Sequence, residues 1–80
     1  MPPPIIIDHG DGVSERRTTS RGSTNTEITL NGVPIATIKI TASNNLDIQN
    51  LGGCRNMVRQ ITLNGPNDGI TIGPQGMYHS

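Results

Sequence analysis

From Glu27 onward, apolar residues recur at every second position in short bursts. Ile28 and Leu30 flank Thr29; Ala36, Ile38 and Ile40 alternate with Thr37 and Lys39; Leu46 and Ile48 flank Asp47; Ile61 and Leu63 flank Thr62; Ile70 and Ile72 flank Thr71. A period of two sends one set of side chains to a buried face of a strand and the other to solvent. Between the bursts lie Asn31-Gly32, Ala42 to Asn45, Asn50 to Gly53, Asn64 to Gly69 and Gly73 to Gly76, residues that tolerate positive φ or preset φ through proline. The chain is therefore expected to be all-β, with five short strands joined by Asn, Gly and Pro turns.

The stretch Ile-Thr-Leu-Asn-Gly occurs twice, at 28–32 and 61–65. After the first copy Val33-Pro34-Ile35 re-enters a strand, whereas Pro66-Asn67-Asp68-Gly69 makes a longer turn after the second. What repeats is a strand end plus a turn, a building rule rather than a catalytic signature. Asn31-Gly32 is the strongest hairpin signal, because a two-residue type I′ turn needs positive φ at both centres. Pro34 cannot donate to a ladder, which places it at an edge or with its nitrogen outward. The stretch from Cys54 to Gln60 is too short and too poorly capped for a stable helix and reads as a strand or an irregular excursion.

Ahead of the alternating region, Pro2, Pro3 and Pro4 favour an extended backbone, and Ile5, Ile6 and Ile7 form a β-branched run. This run reads as a first strand or as an arm that docks on the edge of a neighbouring chain. Residues 14–26 contain no apolar side chain, so they are expected to be a linker or exposed loop. The expected division is an extended arm and polar, Arg-containing linker over 1–26 and a β-rich assembly domain over 27–80.

Spacing and composition leave two architectures open. Counted from Ile28, Ile38, Leu46, Ile61 and Ile70, the successive pairs are 10, 8, 15 and 9 residues apart, a rhythm suited to a sandwich, a barrel or a solenoid. Only 31% of the 80 residues are hydrophobic, Phe and Trp are absent and Tyr78 is the sole aromatic, so the core is thin. Cys54 is the single cysteine, which excludes an intrachain disulfide, and no cofactor is implied. Association with other copies is the remaining way to cover such a core. Its expected members are Ile28, Leu30, Ile38, Ile40, Leu46, Ile48, Ile61, Leu63, Ile70 and Ile72.

Formal net charge is zero, which gives no bias toward nucleic acid or an anionic membrane. The longest apolar run, Ile5 to Ile7, is too short for a membrane-crossing helix or a signal-peptide core, so the expected location is a particle or otherwise the cytoplasm. Asp8, His9 and Asp11 cluster oxygen and nitrogen ligands beside glycines, yet they lack the further acidic positions of a calcium loop. Cys54 has no histidine nearby in sequence and there is no phosphate-binding glycine loop with its lysine and helix, so an enzyme is not expected. Arg16, Arg17 and Arg21 are the one basic concentration and the candidates for anion contacts.

The tail Gly69-Ile70-Thr71-Ile72-Gly73-Pro74, with Gly76, resembles the closing segment of the β-helical needles in phage baseplate spikes and in valine-glycine-repeat spike proteins of type VI secretion. The stretch 36–53 has a similar texture, so about half the chain shares the likeness. The resemblance implies three chains wound about one axis with Ile and Val inward, a geometry without room for rings. Certain spikes of that kind hold an iron ion with a His-x-His pair. Only His79 is present here, between Tyr78 and Ser80, as a candidate ligand. Such needles follow an oligonucleotide-binding-fold domain, which this chain does not show, so the likeness implies a tip, a fragment or another virion protein.

Two functions follow as expectations. The first is a structural subunit of a multi-chain assembly, a phage or phage-like particle component that folds by oligomerising, with a trimer favoured. The second is a small barrel or sandwich that binds a nucleic acid or acidic partner through Arg16 to Arg21.

Overall fold

A computed structural model describes residues 3–79. Three two-residue turns, spaced every ten residues, set the first half of the fold. Asp11-Gly12, Arg21-Gly22 and Asn31-Gly32 each have positive φ at both positions, 54° and 81°, 52° and 81°, and 52° and 84°. That pairing matches the right-handed twist of the flanking strands and closes tight antiparallel hairpins. The strands they join are β1 (Ile5–Gly10), β2 (Val13–Ser20), β3 (Ser23–Leu30) and β4 (Val33–Ile40). A looser connection, in which Thr41 N donates to Asn45 O at 3.0 Å and Asn44 has φ 65°, leads to β5 (Leu46–Asn50). The five strands pair in sequence order, all antiparallel.

Polar residues 14–26 are therefore not a linker: they supply most of β2 and the first half of β3. The division at residue 26 falls inside β3. Composition misled here because a strand needs a satisfied ladder on both sides more than it needs apolar side chains. Its inward positions can be polar if those groups find partners. Ile5, Ile6 and Ile7 form β1, whose ladder partner within the chain is β2, so the run is a first strand rather than a detached arm.

Register aligns the inward residues in rows across the sheet. One row is Glu15, Ile28 and Ala36, and the next is Arg17, Thr26, Ile38 and Ile48. The outward rows set Arg16 opposite Glu27 and Lys39 opposite Asp47, opposite charges at cross-strand positions. Pro34 lies on β4 opposite Thr29 of β3, beside a register shift and before the β5 ladder begins at Ala36, at a point where the ladder is already irregular.

After β5 the chain makes a short 3₁₀ turn at Gly53–Asn56, the irregular excursion expected around Cys54. Gly53 is required there: a Cβ at this position would stand 2.2 Å from Ile35 Cγ2 on β4. A second antiparallel sheet follows, β6 (Ile61–Leu63), β7 (Ile70–Gly73) and β8 (Gly76–His79), with a 3₁₀ turn at Gly65–Asn67 between β6 and β7.

One apolar cluster joins the two sheets: Val13, Ile28, Ile35, Ala36 and Ile38 from the first, Cys54 and Met57 from the excursion, and Ile61, Leu63, Ile70 and Ile72 from the second. Of the residues expected to form an oligomer core, Ile28, Ile38, Ile61, Leu63, Ile70 and Ile72 are buried within the single chain. Leu30, Ile40 and Ile48 are half-buried, and Leu46 is exposed. The radius of gyration, 11.9 Å, is close to the roughly 11.6 Å expected of a compact 80-residue domain. The chain closes its own core, and what it leaves open are its sheet edges.

Candidate functional site

Alternation along β2 carries Val13, Glu15 and Arg17 to the inner face, and there the apolar pattern gives way to charge. Glu15 is fully buried, and its two carboxylate oxygens are divided among four groups. Oε1 accepts from His9 Nε2 at 3.0 Å. Oε2 accepts from Arg17 Nε at 3.0 Å, from Arg17 Nη2, and from Asn67 Nδ2 at 3.4 Å. Asn67 Nδ2 also donates to Thr26 Oγ1 at 2.8 Å, and Arg17 Nη2 to the Asn64 carbonyl at 3.2 Å. Asn67 Oδ1 is buried with no hydrogen-bond partner among the described residues.

The cluster joins β1, β2 and β3 to the connection between β6 and β7. A buried carboxylate needs its charge and most of its lone pairs matched, and here they are. Arg17 and His9 are spent on that task, so neither is presented to an outside ligand. The arrangement fixes the second sheet against the first.

The four candidate metal ligands, Asp8, His9, Asp11 and His79, are separated in the structure. Asp8 Oδ1 accepts from Gly10 N at 2.8 Å within its own turn. His9 turns inward to Glu15, Asp11 pairs with Arg59 at 3.2 Å, and His79 ends β8 on the surface. Among the described residues no three His, Cys, Asp or Glu side chains converge. The three arginines are also dispersed: Arg16 is exposed and opposite Glu27, Arg17 is inward, and Arg21 sits in a turn. No single basic patch results.

Cys54 is buried, with its thiol 3.8 Å from the Ile35 carbonyl. Burial pushes the thiol pKa up, which keeps it protonated and unreactive at neutral pH. The sulfur packs as part of the core.

The surface offers two features of another kind. At one edge of the five-stranded sheet, β1 has no strand on its outer side among the described residues, and Ile5 and Ile6 are 54% and 64% exposed. At the opposite edge β5 is shorter, and its exposed residues include Asp47, Gln49 and Asn50. Charge and brevity blunt that edge, whereas β1 carries no charge until Asp8. The second feature is a groove of about 350 Å³ beside β6 and β8, lined in part by Val58, Gln60, Pro74 and Tyr78. Among the described residues no helix is long and apolar enough to cross a membrane.

The sequence signalled the isoleucines of β1 but not the roles of Glu15, Thr26 and Asn67. A signal for Thr26 did exist, since Thr24 and Thr26 continue the alternation of Ile28 and Leu30 toward the N-terminus. Glu15 and Asn67 are 52 positions apart, and nothing local relates them. Comparison of the chain with family models, curated proteins and solved structures finds no match.

Proposed function

We propose that the protein is a structural subunit of a multi-chain assembly, and that copies join through the free edge of β1. The observation that carries this reading is that edge: among the described residues no strand pairs with the outer side of β1, and its regular stretch, Ile5 to Asp8 ahead of a register shift, exposes Ile5 and Ile6. Unpaired backbone donors and acceptors in such a strand are a template for another strand, and soluble monomers ordinarily disarm them with charge, proline or a covering segment. Two antiparallel sheets closed on one cluster favour a small sandwich as the subunit's architecture. Its proposed setting is a phage or phage-like particle, as a spike, tail or capsid-associated component. That setting rests on the likeness of 69–76 to spike needles, which also makes a trimer the favoured order.

Native mass in dilute solution tests the reading. The wild-type chain is expected as a multimer, and Ile6→Lys as a folded species of lower mass, because Ile6 lies outside the core and a charge there blocks strand addition. A well-folded wild-type monomer at every concentration would sink the proposal.

A further inference from the structure

The groove beside β6 and β8 gathers the chain's one aromatic ring and its most exposed aliphatic side chain. Tyr78 is 52% exposed and Val58 85%, and with Pro74 they make an apolar lining. Gln60 Nε2 donates to the Tyr78 hydroxyl at 2.8 Å, which holds the ring in place. Arg59 and Gln75 add side chains that donate hydrogen bonds. An exposed ring flanked by apolar side chains and by donor-bearing ones suits a polyproline II segment. Such a segment is stiff before binding, has no internal hydrogen bonds and offers bare carbonyls to donors.

The same chain carries such a segment. Pro3 and Pro4 are exposed and precede β1 outside any ladder, and the sequence places Pro2 ahead of them. They cannot reach their own groove along β1. The pair Arg59–Asp11 ties the groove region to the far end of that strand, and the six residues of β1 span roughly 20 Å. Proline arm and groove therefore lie at opposite ends of β1.

We propose that the groove of one copy receives the proline segment of a second copy. The inference rests on the assembly reading and gives it a direction: this joint is head-to-tail, using different surfaces on its two sides, so it closes into a ring or propagates as a fibre. It is a separate joint from the β1 edge.

The test uses the full-length chain with Pro2, Pro3 and Pro4 changed to Ala, so that no arm occupies the groove. The probe is a capped peptide of residues 1–4. Tyr78 is the sole aromatic residue, so its ring signals in NMR and its fluorescence report this groove alone. A saturable change at Tyr78 is expected with the proline peptide and not with a Met-Ala-Ala-Ala peptide. Val58→Asp, at a solvent-exposed position, is expected to weaken the binding by about tenfold or more, the loss of one favourable apolar contact of about 1.4 kcal/mol. No saturable change, or an equal change with the alanine peptide, would overturn the inference. The two failures are distinguishable. A multimeric wild type whose groove ignores the peptide removes this joint and leaves the assembly; a wild type monomeric at every concentration overturns both, whatever the peptide does.

Discussion

On the inner face of β2 stand Val13, Glu15 and Arg17; on β6 and β7 stand Ile61, Leu63, Ile70 and Ile72. Both faces are inside the same molecule, a few residues from one apolar cluster, yet they are held by different forces. The second sheet has strands of three or four residues, and its ladder is too short to count for much without the buried isoleucines. The first sheet has ladders of up to eight residues closed by two-residue turns, so its backbone is well paired before any side chain is considered. A long ladder lets the inner face carry a carboxylate, a guanidinium and the Thr26 hydroxyl. Those groups then constrain the second sheet more narrowly than methyl groups would, since hydrogen bonds fix direction and dispersion does not.

The difference has a measurable form. An apolar face loses stability in proportion to what is removed, while a paired ionic face fails when one partner goes. Glu15→Ala leaves the mostly buried Arg17 guanidinium without its counter-charge, with the Asn64 carbonyl still accepting from it, and its expected cost is about 3 to 5 kcal/mol in urea denaturation. In a chain of this size that consumes most of the stability, and a partly unfolded population is expected. Replacing the cluster as a whole by apolar residues is a different experiment and carries no such penalty.

Leu63→Ala is the matching change in the second sheet. It opens a cavity beneath a fully buried position, and its expected cost is about 3 kcal/mol. The comparison between sheets breaks if this change proves more harmful than Glu15→Ala. In that event the methyl groups, not the ion cluster, would be what fixes one sheet on the other. It sharpens if Leu63→Ala preserves the Glu15 contacts, seen as unchanged His9 ring signals in NMR.

These two positions also show what a sequence can and cannot disclose. Leu63 is legible because Ile61-Thr62-Leu63 alternates locally, and alternation is a property of neighbouring residues. The Asn31-Gly32 hairpin is legible for the same reason. Glu15 is not. It lies in a stretch whose polarity reads as solvent exposure, and its burial depends on Asn67 and Asn64, supplied by a turn some fifty positions later. The ten-residue rhythm of Asp11-Gly12, Arg21-Gly22 and Asn31-Gly32 is a local clue that the polar stretch is strand, since each pair can close a hairpin. The groove stayed hidden because Val58 and Tyr78 come together only when β6 and β8 flank the same central strand.

The smallest expected effect comes from a pair that looks, in outline, like the one in the core. Arg59 Nη1 donates to Asp11 Oδ2 at 3.2 Å, an arginine on a carboxylate, as Arg17 is on Glu15. Here, however, the two side chains are 50% and 48% exposed. Water screens the attraction, and holding two long side chains together costs conformational entropy, so such pairs contribute about 0 to 1 kcal/mol. Arg59→Ala is therefore expected to lower stability by less than about 0.5 kcal/mol at low salt, and by nothing measurable once salt is raised. A cost comparable to that of Glu15→Ala would mean that the Asp11-Gly12 turn depends on Arg59 for its shape. The contrast between a buried and an exposed arginine pair would then no longer explain which arginines the fold needs.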